Sequence, residues 1–158
     1  MKISATTVVG DGRGRVGVGH GKALEVAQAV RKATTRAQKD MRAISVHGAT
    51  IPHLTEGKYS SSRVLLRPAS SGTGLIACAQ VRAVLEAAGL KDVLTKAFGS
   101  RNPHNLAVAT LQALQSLRSI KEVAQARNKA IGHFVEKKQN ATIESNTKEE
   151  PDRPEAGS

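Results

Sequence analysis

The stretch Gly10-Asp11-Gly12-Arg13-Gly14-Arg15-Val16-Gly17-Val18-Gly19-His20-Gly21-Lys22 decides how the rest of the chain is read. Glycine takes every second place from Gly10 to Gly14, and again, one residue out of step, from Gly17 to Gly21. Without Cβ, a backbone can come close to another backbone or to a phosphate. Val8, Val9, Val16 and Val18 add β propensity on both sides. The pattern predicts a hairpin: a strand to Val9, a turn at Asp11-Gly12 and a return strand through Val18. Arg13, Arg15 and Lys22 make its bare surface basic, which suits a phosphate backbone. Gly12 to Gly17 also fits G-x-G-x-x-G, but the dinucleotide reading needs a helix opening on the glycines. Here they run on into a β-like segment, so no nucleotide cofactor is expected.

Charge supports a polyanionic partner. The formal net charge is +11, and residues 1–135 hold 20 Lys and Arg against 7 Asp and Glu. A basic folded body is the electrostatic footprint of a nucleic-acid binder. Aromatic residues are nearly absent, with only Tyr59, Phe98 and Phe134 and no Trp. Any core must therefore be built from Val, Leu, Ile and Ala. The same scarcity argues against modules that stack several bases on aromatic platforms. Cys78, the lone cysteine, excludes an intrachain disulfide and a thiolate zinc cluster, and its apolar neighbours suggest a core thiol. No apolar run reaches ~18 residues, so no membrane partner is expected, and the first residues carry no secretory pattern.

Along the chain, residues 2–9 read as a strand leading into the hairpin. From Ala23 to about Arg42 the pattern turns helical, with Val26, Val30, Ala33, Ala37 and Met41 as the apolar stripe. Lys32, Arg36 and Lys39 form a row on another side, flanked by Arg31 and Arg42. Ile44 to Pro52 reads as strand, turn and edge strand, and Ser61 to Pro68 as a strand basic at both ends, with Lys58 in the loop between. A helix is expected over about 75–88, ended by Gly89, then a strand over 93–98 and a turn at 99–103. Two adjoining apolar stripes over about 105–117 suggest a helix buried on a wide face. A last helix runs from Ile120 to about Lys129, and the polar residues beyond Lys138 read as a disordered tail.

Pro68-Ala69-Ser70-Ser71-Gly72-Thr73-Gly74-Leu75 is the strongest candidate for enzyme chemistry. A Gly/Ser loop opening a helix points amides at an anion. It distantly resembles the phosphate loop of the small-molecule kinases that include galactokinase and homoserine kinase. Phosphoryl transfer also needs a metal held by carboxylates. No Asp or Glu lies between Glu56 and Glu86, so the loop reads as structural or as a contact with RNA or a protein neighbour. His20, His47, His53, His104 and His133 show no ligand spacing and read as surface or RNA-facing imidazoles. No metal site, cofactor or catalytic residue is expected.

At several separate motifs the chain resembles the family of the bacterial-type small-subunit ribosomal protein S-five. They are Val8 to Ala23, Gly57-Lys58-Tyr59, Ser62-Arg63-Val64, Arg67 to Gly74, Arg82 to Glu86, and Lys96-Ala97-Phe98-Gly99-Ser100-Arg101-Asn102-Pro103, in colinear order. The resemblance implies an α+β fold in three parts: a double-stranded-RNA-binding-like domain over 1–43, a two-layer β-α-β domain over 44–131 and a flexible tail over 132–158. It implies that the first domain lacks the family's first strand and the basic loop that follows it.

The resemblance further implies a non-enzymatic constituent of the small ribosomal subunit, with a part in assembly and translational accuracy. Implied partners are small-subunit rRNA, the neighbouring proteins S-four and S-eight, and messenger RNA at the entry path. The implied compartment is the bacterial cytoplasm, with an organellar ribosome as the alternative. Arg13, Arg15, His20 and Lys22 match the RNA-facing first half, and Ser70, Ser71, Gly72, Thr73, Gly74 and Arg82 match a segment facing a protein neighbour. Arg31, Lys32, Arg36, Lys58, Arg63, Arg67 and Arg101 complete the candidate RNA contacts. Two other classes stay open: a kinase-like enzyme using the 68–75 loop, and a free-standing RNA chaperone.

Overall fold

In the computed structural model, residues 1–127 are described. The elements run β1 (Ile3–Gly10), β2 (Arg15–Ala23), α1 (Val26–Lys39), β3 (Arg42–Ala43), β4 (Thr55–Tyr59) and β5 (Ser62–Pro68). They continue through β6 (Leu75–Ile76), α2 (Ala79–Ala88), β7 (Val93–Gly99), α3 (Pro103–Gln115) and α4 (Ile120–Ala126). Residues 1–119 form one compact unit and the chain from Ile120 a second, of which the seven-residue α4 is described. The expected tail over 132–158 lies outside the described residues.

The first sheet has the order β1-β2-β3, with β1 and β2 antiparallel from Ile3 opposite Ala23 to Gly10 opposite Val16. The expected hairpin is present. Its glycines, however, face protein. A Cβ added at Gly17, Gly19 or Gly21 would run into the carbonyl oxygens of Ala37, Ala33 and Ala29 respectively. Glycines two apart on a strand repeat at roughly 6.6 Å, and alanines four apart on a helix at about 6.0 Å, so the two rows stay matched over three contacts. The bare strand is a seat for α1. It does not lie open to phosphate.

That seat also corrects the expected helix stripe. The buried residues of α1 are Ala29, Ala33 and Ala37, whereas Val26 is 57% exposed and Val30 40% exposed. Backbone contact at the glycines leaves room only for methyl groups, so the valines are pushed to the flank. On the other face of β2, Val16 and Val18 join one core with Val64, Leu66, Val81, Val84, Leu85, Leu106 and Leu114. The first sheet is thus covered on both sides around Val16 and Val18, while Ser4, Thr6 and Lys22 stay exposed at the far end of the second face.

The second sheet has the order β4-β5-β7-β6, with β6 parallel to β7 and the other pairs antiparallel. The helix α3 lies on its inner face, where the Thr55 hydroxyl donates to the Ala113 carbonyl at 3.3 Å and Gly57 meets Ala109. As expected, α3 is buried on a wide face, including Leu106, Ala107, Leu111 and Leu114. Gly89 ends α2 in the left-handed region, at φ 88°.

Four local expectations are corrected. Residues 44–52 form no paired strands beyond a bridge between His47 and Thr50, because their hydrogen bonds go to distant loops: Ile44 to Gly14, and Ala49 to Lys91 and Asp92. The helix expected from residue 75 begins at Ala79, because Leu75 and Ile76 pair with Val93 and Leu94 as β6. Lys58 lies within β4 and not in a loop. Cys78 is exposed at the N-cap of α2 and is not a core thiol.

Candidate nucleic-acid interface

Strand β5 alternates cleanly: Ser62, Val64 and Leu66 are buried, while Arg63, Leu65 and Arg67 point to the other face. The register extends that face across the sheet. Lys58 stands opposite Arg63, and Arg63 opposite Phe98. Two residues along, Glu56, Leu65 and Lys96 form the next row; beyond it come Arg67, Leu94 and Ile76. No element of residues 1–119 covers this face, and Phe98 is 43% exposed there and Ile76 55%. Four cations thus stand with a single carboxylate. Glu56 lies 3.9 Å from Arg63, with both side chains about half exposed, an arrangement worth little and leaving the guanidinium accessible.

The hairpin tip is held from within. Asp11 Oδ1 accepts the Arg13 and Arg15 amides at 2.8 and 3.0 Å, which holds the Asp11 carboxyl below its ordinary range, Arg13 contributing most. The amides of Gly12 and Gly14 donate to the Ala87 and Ala88 carbonyls at the end of α2, each at 3.0 Å. These bonds satisfy carbonyls that the helix leaves without partners. Arg13 and Arg15 themselves are exposed.

His20 and Lys22 part company. Lys22 is exposed, but His20 is half-buried, its ring centroid 5.0 Å from that of His104 and its Nδ1 3.3 Å from Thr6 Oγ1. Tyr59 meets His104 edge-on at 6.1 Å. Burial, and secondly the charge of His20, push the His104 imidazole below its ordinary pKa. These two imidazoles are engaged with each other and only partly on the surface. On α1, Arg31, Lys32 and Arg36 are exposed, and Arg36 also ties the helix to β2 by donating to the His20 carbonyl at 2.7 Å. Arg101 is exposed in the turn before α3, whose N-cap Asn102 accepts from the His104 amide at 3.0 Å.

The Ser70–Gly74 loop carries its own anion. Asp92, 6% exposed, accepts the Gly72 and Gly74 amides on Oδ1 at 3.1 and 2.9 Å. The Asp92 carbonyl in turn accepts from the Thr50 hydroxyl at 2.6 Å. The loop leads into β6, not into a helix, so no helix N-terminus adds to it. Ser70, Ser71, Gly72 and Thr73 are otherwise exposed or close to it. Arg82 donates to the Leu75 and Ala77 carbonyls at 3.2 and 3.5 Å and lines a shallow depression with Glu86, Leu90 and Lys91. No cluster of three or more metal-ligating side chains occurs among the described residues.

The structure therefore gathers Lys58, Arg63 and Arg67 on one face and leaves the hairpin and α1 cations on other elements. Sequence reasoning missed Lys96, Phe98 and Asp92. Lys96 and Phe98 carried a signal, since they alternate with Val93, Thr95 and Ala97 in β7. Asp92 carried none, because its partners are about 20 residues upstream.

Two family descriptions match the chain: "Ribosomal protein S5, N-terminal domain" over residues 1–45 and "Ribosomal protein S5, C-terminal domain" over residues 57–127. A curated relative, the small ribosomal subunit protein uS5 of Syntrophobacter fumaroxidans, is 49% identical over 131 residues. That match covers 83% of this chain and 79% of the relative. With that identity, and with the two family descriptions spanning the hairpin, the open sheet and the loop held by Asp92, the chain belongs to the ribosomal protein S5 family.

Proposed function

We propose that the chain is a structural constituent of the small ribosomal subunit that binds rRNA through exposed cations on a rigid α+β body. The match to the family across both halves of the chain carries this reading. The Lys58, Arg63, Arg67 and Lys96 face supplies a phosphate-binding surface, joined by Arg13 and Arg15 at the hairpin tip and by Lys22, Arg31, Lys32, Arg36 and Arg101. Phosphate contacts fix position, and RNA shape supplies most of the discrimination. His20 contributes through its packing on His104.

The finer assignments belong to the same proposal. Residues 1–43 and 44–131 act as the RNA-binding-like and the second domain. The Ser70–Gly74 loop and Arg82 face a protein neighbour, the family resemblance pointing to S-four, with S-eight a second partner. Messenger RNA at the entry path, a role in accuracy and residence in the bacterial cytoplasm complete it, the last supported by a bacterial relative. The kinase-like reading is disfavoured by the loop itself, because Asp92 already occupies the amides that a phosphate would need.

A sucrose gradient tests the reading. The tagged full chain is expected to sediment with mature small subunits after a wash in moderate salt. Recovery only at the top of the gradient, or only with precursor particles as for a chaperone, would overturn it.

A further inference from the structure

We infer that the uncovered face of the second sheet takes an unpaired RNA strand, one base of which stacks on Phe98. This deepens the RNA-binding reading above and rests on it. The occupant follows from what the face presents. Lys58, Arg63, Arg67 and Lys96 stand against Glu56 alone, a balance that complements a polyanion. Arg63, Arg67 and Phe98 are types that protein interfaces also favour, but Lys58, Lys96 and Glu56 are types depleted there, and a net excess of three cations suits a polyanion better than a protein.

The ring decides between paired and unpaired RNA. Phe98 lies directly across from Arg63 on the neighbouring strand, where side chains come within reach of one another. At Phe98 the far side of β7 is open, because β6 pairs only with Val93 and Leu94. The ring therefore has Arg63 as its cross-strand neighbour on one side, the guanidinium itself lying 3.9 Å from Glu56 on β4, and is left accessible on the other. A phosphate held by Arg63 brings its own base over Phe98. A double helix offers this ring nothing, since its bases are stacked inward and its grooves display edges and hydroxyls. An unpaired strand offers the π-face that an exposed ring can use. The rows of the sheet, about 6.6 Å apart along each strand, give an extended chain successive footholds from Lys58–Arg63 to Lys96 to Arg67.

The test is fluorescence anisotropy of the full chain with a fluorescein-labelled, unstructured RNA 12-mer and with the same sequence as a duplex. Phe98→Ala is expected to weaken single-strand binding about five- to 150-fold, the range of one lost base–aromatic stack, and to leave duplex binding unchanged. Phe98→Tyr is expected to bind as the parent does. Arg63→Gln with Arg67→Gln is expected to lower the slope of log K against log salt by about 1.4, or ~0.7 per lost phosphate contact. Phe98 is exposed, so the circular-dichroism melts of its variants should match the parent. Equal single-strand binding by Phe98→Ala and the parent, or equal losses on single strand and duplex, would overturn the inference. So would a crosslink from a photoreactive residue at position 98 to protein, and not RNA, in assembled particles. If the parent sediments with small subunits and the Phe98 variants bind alike, only this inference falls; if the parent never sediments with them, the reading beneath it falls.

Discussion

The two sheets of this chain use the same strand geometry toward opposite ends. The first is closed by α1 on one face, where Gly17, Gly19 and Gly21 admit the helix backbone, and its other face enters the shared core through Val16 and Val18, with only the far end at Ser4, Thr6 and Lys22 exposed. The second is closed on one face by α3 and carries Arg63, Leu65, Arg67, Lys96 and Phe98 on the other. A missing Cβ therefore marks the surface where protein comes closest to itself. Alternation of basic with buried apolar residues marks the surface left for a partner. Where both signals occur near each other, as at Arg15 and Gly17, the glycine belongs to the fold and the cation to the outside.

The sharpest way to break that contrast is Gly19→Val. The added side chain would meet the Ala33 carbonyl and the Ala37 methyl, and neither can move without unseating α1. A loss of about 3 kcal/mol or more is expected in urea unfolding, at the upper end for overpacked sites. Lys96→Val, on the open face of the other sheet, is expected to change stability by less than ~0.5 kcal/mol. Comparable losses at the two positions would end the distinction between a closed and an open sheet.

Next in size is Asp92→Ala. It leaves the Gly72 and Gly74 amides without their acceptor, at a cost of about 1–3 kcal/mol. Asp92→Asn keeps an acceptor oxygen and should recover most of that loss. Amide exchange at Gly72 and Gly74, fast in the alanine variant and slow in the asparagine one, checks the assignment. Unchanged exchange in Asp92→Ala would mean that the loop holds its shape without the carboxylate.

Charge reversal compares the two candidate RNA surfaces directly. Arg63→Glu with Arg67→Glu is expected to reduce incorporation into small subunits more than Arg13→Glu with Arg15→Glu, because the first pair shares one face with Lys58 and Lys96. Quantitative mass spectrometry of purified particles gives the ratio. A larger loss from the hairpin pair would move the main RNA surface to the hairpin tip.

The smallest effect expected is a pH dependence at His104. Its folded pKa lies below the ordinary value of 6.5, so the folded state binds fewer protons than the unfolded state as pH falls through 6.5. Stability from the neutral imidazole is present above pH 6.5 and declines as pH falls toward the folded pKa. Thermal melts at pH 7.5 and 5.5 should differ slightly less in His104→Gln than in the parent. An identical difference would show that burial and the neighbouring His20 do not lower the His104 pKa in the folded state.

Much of the architecture was legible in the chain. The hairpin, the broad burial of α3, the left-handed Gly89 and the strand over 93–98 follow from local pattern, and local pattern is what fixes them. The failures are instructive because each depends on distance. Val26 and Val30 keep a helical period, but the glycines opposite dictate which flank is buried, so alanines take the inner positions. Leu75 and Ile76 carry helix-compatible side chains, but pairing with β7 claims them. Glycine spacing cannot tell a phosphate from a helix backbone, because both require the same empty space. The matching discriminator was in view: small residues at Ala29, Ala33 and Ala37, four apart, opposite glycines two apart. Of the candidate site, Arg63 and Arg67 were readable from β5 alone. Phe98 and Lys96 carried the same kind of alternation in β7, but it was not enough to single them out, since nothing local says which face of a sheet stays uncovered.

A density map of the assembled small subunit carrying this chain tests the central claim most directly. The expected map shows an RNA strand against the β4-β5-β7 face, within hydrogen-bond reach of Arg63, Arg67 and Lys96, with α1 seated on Gly17, Gly19 and Gly21. A map with nucleotides lying on those glycines, or with protein or bulk solvent against Arg63 and Phe98, would contradict it.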